Sequence, residues 1–130
     1  MLRELLRPRR VVHAHCDVPC GVYDPAQARI EAESVKAIME KYQGNEDPVF
    51  RTRAILIKEQ RADLVKHHLW VLWTDYFKPP HFEKYPNLHT LFNEATKLAG
   101  DAKKAQDPAQ GQELLDAIAE IDKIFWDTKK

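Results

Sequence analysis

Apolar residues recur at helical spacing in four windows of the chain, and each window is marked off by its own start and stop signals. In the first, Ile30, Glu31, Val35, Ile38, Met39 and Tyr42 share one face. Asp24 precedes it as a cap, and Pro25 takes the first helical position, where a missing N–H costs nothing. Gly44-Asn45 ends it. Asp47-Pro48 repeats the start signal, and no breaker follows until Pro79-Pro80. The inward stripe of this second window reads Phe50, Ala54, Ile57, Arg61, Leu64, Val65, His68, Leu69 and Leu72. About thirty residues is long for a globular helix, which makes this segment the expected spine of the fold. Pro79-Pro80-His81-Phe82 reads as a turn and Tyr85-Pro86 as a boundary. A third helix carries Leu88, Leu91, Phe92, Ala95, Leu98 and Ala102, and a fourth, opened by Asp107-Pro108, carries Leu114, Leu115, Ile118, Ile121, Ile124 and Phe125. Four amphipathic helices with short links predict an all-α, antiparallel four-helix bundle over residues 24–130.

Two stripe positions carry charge. Glu31 lies four residues before Val35, and Arg61 lies four after Ile57. An acid and a base on inward faces predict a buried or half-buried pair, poor evidence of stability but good evidence that a fixed carboxylate is needed. The alternative is that both sit at the stripe edges and reach solvent by snorkelling.

Composition narrows the class. Only four glycines in 130 residues agree with helix. The formal charge of zero gives no global argument for nucleic acid or an anionic membrane surface. No apolar run approaches the roughly 20 residues of a membrane span. The charge is uneven, however. Residues 1–14 hold Arg3, Arg7, Arg9 and Arg10 against Glu4, a net of +3, and residues 15–130 hold 16 basic and 19 acidic side chains, a net of −3. Residues 1–14 therefore read as a removable leader. Leu2, Leu5 and Leu6 are interrupted by charge, so the leader lacks the apolar core of an export signal, and the expected compartment is the cytoplasm. A transit-type peptide is the alternative.

Both cysteines lie between leader and bundle, in His15-Cys16-Asp17-Val18-Pro19-Cys20-Gly21-Val22-Tyr23. Three uses are open: a local disulfide, a redox pair, or a metal site. A cytoplasmic setting disfavours the first. The second usually wants C-x-x-C beside a βαβ pattern. Soft thiolates with a nearby histidine favour a transition metal. A structural zinc site wants four side-chain ligands, and only Cys16, Cys20 and His15 are at hand. His67, His68, His81 and His89 match no zinc spacing and read as ordinary surface or core histidines. If the chain were cut between Ala14 and His15, the His15 amine, the Cys16 amide and the two thiolates would form a planar N₂S₂ set. That set suits Ni(II) or Cu(II) and leaves the His15 ring free to approach along the metal's axis.

These nine residues resemble the nickel hook of the nickel-containing superoxide dismutases. The resemblance extends to residues 24–36, Ile57-Lys58-Glu59-Gln60-Arg61, residues 75–82 and residues 121–126, and so covers essentially residues 15–130. It implies three parts: a leader, 1–14, removed on maturation; a hook, 15–23; and the bundle, 24–130. It implies one nickel ion per subunit, held by the His15 amine and ring, the Cys16 amide and thiolate, and the Cys20 thiolate. By the same resemblance Glu31 holds the His15 ring, Arg61 holds Glu31, and Tyr23 lines the substrate approach. Asp17, Pro19 and Tyr76 would support the hook, and Lys78 would steady the loop or draw in the anion. Val18 stands where the family pattern has leucine, a small apolar swap.

The activity implied is disproportionation of superoxide to dioxygen and hydrogen peroxide through a Ni(III)/Ni(II) cycle. The implied assembly is a homohexamer. A leader-processing peptidase is an expected partner and a nickel chaperone a further candidate, while neither nucleic acid nor a membrane is expected. A non-catalytic nickel or copper binder using the same site is the main rival, and a thiol switch at Cys16 and Cys20 the second. The binder would have no use for Glu31, and the switch none for His15.

Overall fold

The computed structural model describes residues 20–130, which form five α-helices and no strand. They are α1 (Ala26–Gln43), α2 (Pro48–Val71), α3 (Pro79–Lys84), α4 (Leu88–Ala102) and α5 (Pro108–Thr128), with a π-helical turn, Leu72–Tyr76, running on from α2. Helix α1 packs on α2 and α5, and α4 packs on the same two, so the four long helices close into a bundle. The links 44–47 and 103–107 are too short to cross it, which makes the joined helices antiparallel.

The three Asp-Pro signals act as local chemistry dictates. Asp24 Oδ1 accepts from the Ala26 N–H at 2.8 Å, Asp47 Oδ2 from the Phe50 N–H at 3.3 Å, and Asp107 Oδ1 from the Ala109 N–H at 3.0 Å. Each satisfies an amide that the helix cannot. Pro79-Pro80, expected as a turn, instead starts the short helix α3. Lys78 is extended before it, and the prolines occupy positions that need no donor.

The core is built on Leu69, Leu88, Phe92, Leu114, Ile118 and Phe125, with a smaller cluster of Val35, Met39, Ala62 and Ala102. Where α1 meets α2, the expected stripe is rotated. Ile30 is 52% exposed and Ile57 38%, while Ala28, Ala32, Ala54 and Ala62 face inward. Small residues let these two helices approach closely, so the larger isoleucines are pushed to the flanks. Lys58 is the largest surprise, since it is fully buried. Its ammonium donates to the carbonyls of Ala102 at 2.6 Å, Lys103 at 3.1 Å and Ala105. It closes the carbonyl end of α4, where the helix has no amides left to donate. Burial pulls its pKa below the usual 10.5, and the neighbouring Glu59 charge pulls the other way.

Helices α1 and α5 meet at Gly111. A Cβ there would stand 2.8 Å from Lys36 Cβ and 2.9 Å from Lys36 Cα. Part of that contact is backbone and cannot swing aside. Gly111→Ala gains about 1 kcal/mol of helix propensity. Overpacking costs roughly 1–3 kcal/mol. The expected outcome is net destabilisation, read as a lower urea midpoint at unchanged slope. A raised midpoint would show that α1 can retreat.

Candidate metal centre

Cys20, Gly21, Val22 and Tyr23 lead directly into α1. Gly21 has φ +72°, the left-handed region that a side chain rarely adopts, and it folds the segment back on itself. The turn brings the Val22 N–H to 3.3 Å from Cys20 Sγ, a donor aimed at the sulfur. Cys20 is exposed. His15, Cys16, Asp17 and Pro19 lie outside the described residues. Among the described residues, no group of three or more His, Cys, Asp and Glu could hold a metal ion. Of the two cysteines, the described residues include Cys20 alone.

The Cys20 sulfur fits a soft transition metal. Thiolates select such ions, and an amide N–H donated to the sulfur tempers its charge in the way outer-shell partners tune ligands.

The acid–base pair predicted from the stripes is present. Arg61 Nη1 of α2 donates to both oxygens of Glu31 of α1, at 3.2 and 3.3 Å. The Glu31 side chain is only 17% exposed, whereas Arg61 is 39% exposed. Glu31 is thus fixed in a partly desolvated position and Arg61 reaches it from the surface, which lies between the two readings of the sequence.

Tyr23 and Tyr76 are the second pair brought together, their ring centroids 5.6 Å apart. The π turn places Tyr76. The Phe77 N–H reaches back five residues to the Leu72 carbonyl at 2.9 Å, and such turns recur at functional sites because they redirect a side chain. Tyr76 then rests on Phe125 at 4.4 Å and stacks parallel to His81 at 5.8 Å. Its hydroxyl lies 2.6 Å from Thr128 Oγ1. Lys78 caps α3 with an exposed side chain, and its backbone N–H donates to His81 Nδ1 at 2.9 Å.

The four downstream histidines play ordinary parts here. His81 ties the start of α3. His89 accepts from Trp73 Nε1 at 2.9 Å and stacks on Phe82 at 3.9 Å, while His67 and His68 lie against each other. Sequence reasoning missed Thr128 and Lys129 beside Tyr76. The Lys129 ammonium stands 5.0 Å above the Tyr76 ring. No spacing rule could have found them, because α5 meets the π turn only in three dimensions.

A family profile described as nickel-containing superoxide dismutase matches residues 10–129. A superoxide dismutase [Ni] of Streptomyces coelicolor is 68% identical over 130 residues, covering all of this chain and 99% of that protein. The superoxide dismutase [Ni] of Streptomyces seoulensis is likewise 68% identical with the same coverage. The native structure of a nickel superoxide dismutase superposes with a TM-score of 0.88 at 71% identity, covering 89% of this chain and 100% of that one.

Proposed function

The chain belongs to the nickel-containing superoxide dismutases, and from that premise we propose how its own residues carry the reaction. The activity is disproportionation of superoxide to dioxygen and hydrogen peroxide, and the cofactor is nickel. Nickel, when bound, would take up one electron in the half-reaction that releases dioxygen and return it in the half-reaction that forms peroxide, as Ni(III)/Ni(II).

In this reading one nickel per subunit is held by the His15 amine and ring, the Cys16 amide and thiolate, and the Cys20 thiolate. The observation that carries it is the Glu31–Arg61 pair. A carboxylate whose two oxygens share one guanidinium nitrogen, and which is mostly shielded from water, is suited to fix a histidine ligand's ring. Glu31 orients His15, and Arg61 holds Glu31 in place. Tyr23 and Tyr76 line the approach. Asp17 and Pro19 hold the shape of the hook.

Steering follows from charge. Residues 15–130 are net negative, and superoxide is an anion. Exposed Lys78 is the local cation that offsets this repulsion, an effect that salt should weaken.

Maturation, assembly and location complete the proposal. A peptidase removes residues 1–14, since the amine of His15 is a donor only once the Ala14–His15 bond is cut, and a nickel chaperone serves loading. The proposed assembly is a homohexamer, in which subunit contacts would cover exposed apolar side chains such as Ile30, Leu56, Trp70 and Trp73. The cytoplasm is the proposed compartment; no helix among the described residues is long and apolar enough to cross a membrane.

The test compares residues 15–130, made with a native His15 amine, against intact 1–130, each with and without nickel. Nickel-dependent dismutation by the shorter chain, and a loss of at least about a hundredfold in the longer one, is expected. Equal activity from 1–130, shown intact by mass, would overturn the amine-ligand reading.

A further inference from the structure

The last turn of α5 decides what Tyr76 can do. Thr128 Oγ1 lies 2.5 Å from the Phe125 carbonyl oxygen and 2.6 Å from the Tyr76 hydroxyl. A carbonyl only accepts, and a threonine hydroxyl carries one hydrogen. That hydrogen therefore goes to Phe125, whose carbonyl sits where the helix has run out of amides. Thr128 can then only accept from Tyr76. The Tyr76 proton points at Thr128 in the last turn of α5. The ring cannot swing away from this contact, since Phe125 supports it, His81 stacks on it, and Lys129 stands above it.

We propose that Thr128 is a positioning residue that commits the Tyr76 proton to α5, so that Tyr76 meets an incoming species only as an acceptor. Superoxide has no hydrogen to donate, so Tyr76 does not hold the anion. Water and hydrogen peroxide can donate, so Tyr76 holds the solvent that brings protons and the product that leaves. The two protons that enter peroxide do not come from Tyr76. The inference rests on the reading above that Tyr76 lines the substrate approach.

Thr128→Val keeps the shape and removes the acceptor, while Thr128→Ser keeps the hydroxyl. The first readout is exchange of the Tyr76 hydroxyl proton with solvent, measured by NMR on nickel-free protein labelled at tyrosine Cζ. Exchange is expected to quicken about tenfold in Thr128→Val, the equivalent of one hydrogen bond, and to stay at the wild-type rate in Thr128→Ser. The second readout is inhibition of the nickel-loaded enzyme by azide, a small anion. A released Tyr76 proton can turn to the anion, so inhibition should tighten about tenfold in Thr128→Val and not in Thr128→Ser. Wild-type exchange in Thr128→Val overturns the proposal. Tyr76→Phe separates the second kind of failure. If exchange quickens but azide inhibition and turnover are unmoved in both Thr128→Val and Tyr76→Phe, then Tyr76 does not line the approach. The functional half of the proposal then falls with that reading.

Discussion

Cys20→Ser is expected to abolish nickel-dependent superoxide dismutation while leaving the bundle folded. A serine hydroxyl stays protonated at neutral pH and is a hard donor, so the substitution removes both the negative charge and the polarisable sulfur that a soft metal selects. The Val22 N–H that now faces Cys20 Sγ would face a neutral oxygen instead. Stopped-flow measurement should show kcat/KM lower by at least about a thousandfold, about 4 kcal/mol of transition-state stabilisation. Cys20 is exposed and precedes α1, outside both core clusters, so the thermal midpoint of the metal-free chain should not move. Activity within about tenfold of wild type would remove Cys20 from the ligand set.

Lys58→Met is expected to cause a large loss of stability, of the size that truncating a buried core side chain causes. Methionine fills about the same volume, so the change isolates the polar loss from cavity formation. It leaves the carbonyls of Ala102, Lys103 and Ala105 facing an apolar side chain. Each unsatisfied buried group costs about 1–3 kcal/mol, and water can recover part of that at a helix end. A net loss of about 3 kcal/mol or more follows, a large share of the 5–15 kcal/mol that folds a typical domain. Urea titration of the metal-free chain at fixed protein concentration should show the midpoint fall with little change in slope. A loss under about 1 kcal/mol would mean that the end of α4 rearranges to satisfy itself.

Both variants bear on how much could be read before folding. Two cysteines with three residues between them, a histidine before the first, and a proline and glycine to bend the loop are neighbours along the chain. Their chemistry is local, and so it is legible as text. The same holds for the helix starts, because Asp24, Asp47 and Asp107 act on amides two or three residues away. Periodicity also placed Glu31 and Arg61 on facing helices, where they meet.

Rotation about a helix axis is another matter. The stripes of α1 and α2 were read from the largest apolar residues, yet Ile30 and Ile57 lie outward and alanines lie inward. Size alone does not tell whether two helices will approach closely enough to want small residues. Gly111 against Lys36 is the same fact at the other face of α1. The burial of Lys58 is not legible locally, because its partners are 44 to 47 residues away, at a helix end that exists only once α4 has formed and docked.

The sequence by itself determined the four long helices, the Asp-Pro starts of three of them and the residue types of the acid–base pair, since each depends on contacts within a few residues or on a simple period. Only the tertiary structure decided which faces are buried, that Lys58 closes α4, and that Thr128 sets the direction of the Tyr76 hydrogen bond. Those depend on which helix ends meet. That follows from packing the whole bundle at once, which no local pattern encodes.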